Sequence, residues 1–323
     1  MKVRAPGKLM IAGEYAVLHG GDAWCLAVDR YAVVSDATEP GGFTPPEATA
    51  SWRRAVAAGL LSALPPEGSA HFDLTQLSGG VGRKLGLGSS AAGCVAALGW
   101  AMEREQPGAI SRHREALARC AREGHREVQG GGSGVDVLTS ACGGLVRVRF
   151  EHGIEGAPSI ARHAMPEGLR WRVFWSGTSV RTSEMLARVE ALRSADPGAH
   201  SARIEAIDEG TRDFERALSS HDVAGVVAAV QRLGAAMAAL GEASGAPIVT
   251  PSMARFAARA EQFGAAVKPS GAGGGDVVVA FGQDDGAMAA LREAAAIEGF
   301  EEVDLGADGA GVIPMNTRER CLA

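Results

Sequence analysis

The 323-residue sequence predicts a mixed α and β fold in two domains, and three observations carry that expectation. Short apolar runs alternate along the chain with longer alanine-rich runs, the pattern of an α+β protein rather than of a helical bundle or a β-sandwich. The length suffices for one large or two medium domains with proper cores. The apolar period lapses over residues 151–166, which places the domain boundary there and gives domains over 1–160 and 161–323.

In chain order, the apolar runs at 3–5 and 9–12 predict two strands separated by Pro6-Gly7, and 23–28 and 32–35 predict two more. Residues 40–46 form a Pro/Gly loop, and a second turn cluster lies at 65–68. Alanine-rich runs predict helices at 90–103 and 111–128, and the apolar run at 145–150 a strand. In the second half the pattern predicts strands at 172–175, 265–268 and 277–281, with helices at 182–193, 201–218, 223–240, 251–262 and 286–296. No internal repeat stands out.

Composition narrows the function. A net charge of −6 and a pI near 5.8 argue against a general nucleic-acid binder, which needs clustered basic surface. The five cysteines are scattered without a Cys-x2-Cys pair, so reduced thiols are expected rather than a zinc site or a disulfide framework. The eight histidines form no ligand cluster. Neither a secretory signal nor an uninterrupted apolar stretch long enough to span a bilayer is read, which implies a cytoplasmic protein without membrane contact. Monomer and homodimer both stay open.

Residues 84–92, Lys-Leu-Gly-Leu-Gly-Ser-Ser-Ala-Ala, join a glycine turn and two hydroxyls to a helix-forming run, a design that places a helix N-terminus against an anion. Gly86 and Gly88 let the backbone approach a phosphate, and Ser89 and Ser90 are placed to cap the helix or to ligate a magnesium ion on the same phosphate. On the residues alone the same stretch also reads as a capped turn with no ligand. Two further glycine-rich segments stand in order around it: Ala-Pro-Gly-Lys-Leu-Met-Ile-Ala-Gly-Glu-Tyr-Ala-Val-Leu at 5–18 and Lys-Pro-Ser-Gly-Ala-Gly-Gly-Gly-Asp at 268–276.

Together the three segments resemble the signature segments of the GHMP small-molecule kinases, and the resemblance runs nearly end to end. It is most specific to the phosphomevalonate kinase branch, which His125-x3-Gln-x3-Ser-Gly-Val-Asp136 also resembles. The resemblance implies a ribosomal-protein-S5-like N-terminal domain, a ferredoxin-like C-terminal domain and an active site between them. It implies ATP and Mg2+ as cofactors and a small-molecule acceptor, 5-phosphomevalonate, as partner. Mevalonate kinase, another GHMP kinase and a non-catalytic metabolite sensor on the same fold remain the alternatives.

The expected ATP cradle is Lys84, Gly86, Leu87, Gly88, Ser89, Ser90 and Ala91, which stands in for an absent Walker-type loop. Lys8 is the expected cation on the transferred phosphoryl group, although the residue alone also reads as a strand-edge lysine. Asp136 is the expected catalytic carboxylate and otherwise a cap after glycine. Because a phosphate monoester with a second pKa of about 6 is already a dianion at neutral pH, Asp136 is expected to orient Lys8 and the metal shell rather than to act as a base. Expected substrate contacts are Glu14, Tyr15, Ser133, Gly134, Arg181 and Ser183, with Arg83 and Thr182 as further donors and Ser270, Gly271 and Gly273 closing the third loop. Mevalonate kinases carry a metal-binding Glu eleven residues before the catalytic Asp, where this chain has His125. Magnesium is therefore expected on Ser90, phosphate oxygens and water, with Glu123 as a weak candidate.

Overall fold

Strand β1 (Lys2–Ala12) runs unbroken through Pro6-Gly7, where the sequence predicts a gap, because a register shift between Pro6 and Gly7 absorbs the irregularity. Its partner β2 (Ala23–Asp36) likewise joins two predicted strands into one. The computed structural model describes residues 1–38, 42–79, 84–151 and 153–315. Part of the predicted 40–46 loop, Arg83 and Cys321 lie outside the described residues.

The first sheet runs β10-β1-β2-β4-β5, with β3 (Ala70–Asp73) also paired to β2; β4 is Leu145–Phe150, β5 is Pro158–His163 and β10 is Ile313–Pro314. Its described pairings are antiparallel. The stretch in which the apolar period lapses therefore holds an edge strand, and the chain returns to this sheet at its end. Helix α2 (Ser89–Glu105) lies over β1 and β2 with Ala91 through Glu103 buried; an almost wholly apolar surface suits a helix enclosed on all sides. Around it stand α1 (Pro46–Ala57), α3 (Ala109–Gln129) and α4 (Val135–Cys142). Gly124 lets α1 and α3 meet backbone to backbone: a Cβ there would sit 2.4 Å from the Ser51 nitrogen. That contact brings the start of α1 beside the start of α2.

The second sheet runs β7-β8-β6-β9, formed by β6 (Arg170–Trp175), β7 (Ala266–Pro269), β8 (Val277–Gly282) and β9 (Glu301–Val303). Four helices, α5 (Thr182–Ala195), α6 (Pro197–Ser219), α7 (Val223–Ser244) and α8 (Pro251–Glu261), separate β6 from β7, while α9 (Asp285–Ile297) separates β8 from β9. The strand order is that of a ferredoxin-like unit with an enlarged first crossover. Helix α7 is by length and composition apolar enough to cross a membrane, although Gln231 and Arg232 interrupt its apolar run. Its Val226, Val230, Leu233, Met237 and Leu240 are buried, and it packs on α6, α5 and the second sheet, so its apolar character serves a protein core.

Candidate active site

Lys8 leaves β1 beside the glycine turn. Its backbone N–H donates to the Leu87 carbonyl at 2.9 Å and its Nζ to the Gly86 carbonyl at 3.1 Å. Gly86 and Gly88 adopt φ of +70° and +76°, and a Cβ on Gly88 would meet Lys8 Cε at 3.3 Å and Asp136 Cβ at 3.7 Å. Lys8, the turn and Asp136 therefore share one corner, with Leu87 buried beneath it. Asp136 stands in the first turn of α4, and its Oδ1 accepts from the Val137 N–H at 2.9 Å. Its negative charge there meets the positive end of the helix dipole.

The expected hydroxyl cap on α2 is not what forms: Gly88 occupies the N-cap with no side-chain cap bond. Among the described residues no acceptor meets the first-turn amides at Ser89, Ser90 and Ala91, as an anion site requires. Ser90 Oγ turns instead to Glu47 Oε1 at 3.2 Å and to His125 Nε2 at 3.2 Å, while Gln129 Nε2 donates to the same Glu47 oxygen at 2.7 Å. A hydroxyl and a carboxylate beside a phosphate cradle are hard oxygen donors, a set that fits magnesium. Lys84 is exposed, and its carbonyl accepts from Trp175 Nε1 at 3.2 Å and Ser179 Oγ at 3.0 Å, so the second sheet clamps the turn from behind. Asp276, at φ +54°, backs Gly86, whose Cβ would meet its carboxylate at 2.7 Å. Burial pushes the Asp276 carboxyl up, against the pull of the Ser179 hydroxyl, Lys8 and Lys84.

In front of this corner a cavity of about 430 Å³ is lined by Lys8, Glu14, Tyr15, His125, Ser133, Gly134 and Asp136, and by Thr182, Ser183 and Gly271 from the other half of the chain. The starts of α4 and α5 open into it. Glu14 is 1% exposed; its Oε1 accepts from Lys268 Nζ and from the Gly271 N–H at 3.4 Å, whereas its Oε2 has no partner among the described residues. Tyr15 is held at φ +62°, and its hydroxyl donates to the Ala272 carbonyl at 2.6 Å. Burial first, and the Glu14 charge second, push that phenol up. Beneath the glycine loop, buried Arg122 donates to the Ser133 carbonyl at 2.8 Å and packs its Cγ against Gly134.

Three expected residues stand away from the cavity wall. Ser270 accepts the Met10 N–H at 2.9 Å and joins the third segment to β1. Gly273, at φ +76°, makes a turn in which a Cβ would lie 2.3 Å from the Ile248 carbonyl. Arg181 is exposed at the N-cap of α5. The sequence reading omits Glu47, and it holds Gln129, Lys268 and Asp276 only as members of motifs, with no role of their own. Pro46 followed by Glu47 is a helix-start signal, proline at the first helical position and an acid in the first turn, that identifies α1.

A sheet-bound lysine, a glycine turn feeding a buried helix and a glycine loop feeding a second one meet in one corner of the fold. Family models for the GHMP kinases N terminal domain and the GHMP kinases C terminal match residues 54–144 and 217–301. The chain belongs to the GHMP kinases, whose members are ATP-dependent phosphotransferases. It is 28% identical to a phosphomevalonate kinase from Streptomyces sp. (strain CL190), over 96% of this chain and 95% of that protein. It is 29% identical to a mevalonate kinase from Archaeoglobus fulgidus, over 86% of this chain and 91% of that one. Among solved structures, a Lin0012 protein from Listeria innocua shares the fold with a TM-score of 0.84 at 24% identity, covering 97% of this chain and 99% of that one.

Proposed function

We propose that the chain is a phosphomevalonate kinase: it transfers the γ-phosphoryl group of ATP to the phosphate oxygen of 5-phosphomevalonate, releasing ADP and 5-diphosphomevalonate. The observation that carries the reading is the acceptor cavity, where Lys8 and the start of α5, with the Thr182 and Ser183 hydroxyls, line one space beside Glu14 and Asp136. The N-terminal turn of α5 and its two hydroxyls suit a phosphate on the acceptor, and Lys8 suits the group transferred to it. Mevalonate, which has no phosphate, would leave that turn unused. The placement of His125 against Ser90, where mevalonate kinases carry an acid, supports the same branch.

In this reading Lys8 touches the transferred phosphoryl group, and the open amides at the start of α2 bind the ATP phosphates. Ser90 would hold magnesium through its hydroxyl, and the ion would supply charge neutralisation of those phosphates. Thr182 and Ser183 donate to the acceptor's phosphate, and Glu14 Oε2 accepts its hydroxyl. Asp136 balances Lys8 without accepting a proton, because the dianionic acceptor arrives deprotonated. ADP release measured side by side with phosphomevalonate and mevalonate tests the assignment: turnover with the first alone is expected, and equal or better turnover with mevalonate rejects it.

A further inference from the structure

We propose that Glu47, in the first turn of α1, supplies the carboxylate that holds the divalent cation of the bound nucleotide. The inference rests on the ATP-dependent reading of the site and deepens it. Magnesium is commonly held by a carboxylate beside the phosphate oxygens, and at residue 125 of α3, 3.2 Å from Ser90 Oγ, the chain offers a histidine. A neutral imidazole nitrogen suits borderline metals, whereas magnesium takes oxygen. Among the described residues, the carboxylate bonded to Ser90 comes from a different helix, and it is Glu47.

The geometry fits a shared ion. Two adjacent ligands of an octahedral magnesium, each 2.0–2.1 Å from the metal, lie about 2.9 Å apart. Ser90 Oγ and Glu47 Oε1 are 3.2 Å apart, so a closure of a few tenths of an ångström makes them one edge of that octahedron. His125 then gains a defined task. Its Nε2, 3.2 Å from Ser90 Oγ, is placed to accept a hydrogen bond from the hydroxyl while the oxygen lone pair turns to the metal. Gln129 Nε2, 2.7 Å from the same Glu47 oxygen, orients the carboxylate as outer-sphere partners of metal ligands do. The close approach of α1 to α3 at Gly124 fixes the helix that carries the acid. Asp136 stands across the turn against Lys8. No group of three or more His, Cys, Asp or Glu side chains is placed to hold a metal among the described residues, so the other ligands are phosphate oxygens and water, as magnesium prefers.

Manganese serves as the probe, titrated by electron paramagnetic resonance into the protein bound to a non-hydrolysable ATP analogue, with no acceptor present. Glu47→Gln is expected to weaken Mn2+ binding at least about tenfold, within the 10–100-fold range seen when a metal site loses a supporting group. Nucleotide binding in EDTA should stay unchanged, and adding His125→Glu to the variant should restore the metal, since it returns a carboxylate to the other side of Ser90. A smaller loss than tenfold, or no recovery in the double variant, overturns the proposal. The wild-type protein offers a check that needs no variant. Fe2+ with ascorbate and the analogue should cut the backbone near residues 47 and 90; cuts near 90 and 123 without one near 47 overturn it. Because no acceptor is present, an enzyme that turned out to prefer mevalonate would leave both results intact.

Discussion

Lys8 and Asp136 sit on either side of Gly88, and their unequal tasks follow from the charge that a phosphoryl transition state spreads over its oxygens. Loss of one aimed charged donor typically costs about 10²–10³ in turnover, so Lys8→Met should lower kcat by that factor while the melting temperature stays near that of the wild type. Asp136→Asn should lower the rate yet keep an acidic limb near the acceptor phosphate's own second pKa of about 6. A pH profile of kcat/KM settles it: loss of that limb in the Asn variant assigns the limb to Asp136 and makes it the base. Lys8, the glycine turn and Asp136 were legible because each lies inside a short glycine-bounded motif whose local geometry sets its use. Glu47 was not, since its carboxylate gains meaning only when α1 docks against α3 and brings it to Ser90, 43 positions away in sequence.

At the scale of elements, the long amphipathic and alanine-rich helices matched their predicted spans closely, while α1, α4, β3, β5, β9 and β10 went unread. The missed strands are two to six residues long, too brief to display a period, and α1 begins at the second of two prolines that read as loop. Helix α6 shows how tertiary packing supplies what periodicity lacks. It follows β6 in the chain yet packs on the first sheet, with Phe214 5.5 Å from Trp24, and His200 4.8 Å from His19 in the turn after Tyr15. Burial holds the His200 and His19 imidazoles low, helped at His200 by the Arg193 charge and at His19 by His200 and Arg193. His163, tilted against Trp24 with ring centroids 4.6 Å apart, is held low by burial and Arg147. These groups stay neutral in the fold while the unfolded chain takes up protons near pH 6.5. Their contribution is therefore complete above pH 6.5 and declines as pH falls below it, levelling off beneath the depressed folded values. Thermal melts between pH 7.5 and 5.5 should show a falling midpoint, with a shallower slope in His200→Leu; an equal slope would remove His200 from the account.

Across the whole molecule, the third glycine segment fastens the two sheets together around the cavity. Lys268 pairs with Glu14, Ser270 accepts from Met10 and Tyr15 donates to Ala272, contacts that span about 257 positions of chain and that no local pattern can announce. The order of the three motifs was readable, and their meeting between the domains came only through the family resemblance; the individual contacts were not readable. Lys268 is 0% exposed at its side chain and Glu14 1%, so removing the lysine strands a buried carboxylate. Lys268→Met should destabilise the protein by about 3–5 kcal/mol in denaturant unfolding, whereas Lys268→Met with Glu14→Gln should recover most of that loss. Failure of the second change to recover stability would mean that packing rather than charge dominates the junction. The claim that the cavity serves a phosphate acceptor is tested most directly by 31P NMR of the protein with ATP, magnesium and either phosphomevalonate or mevalonate. The account predicts that the phosphomevalonate monoester signal gives way to a pair of coupled diphosphate signals as ADP appears, and that mevalonate yields nothing; a new monoester signal growing from mevalonate, with phosphomevalonate left unchanged, would contradict it.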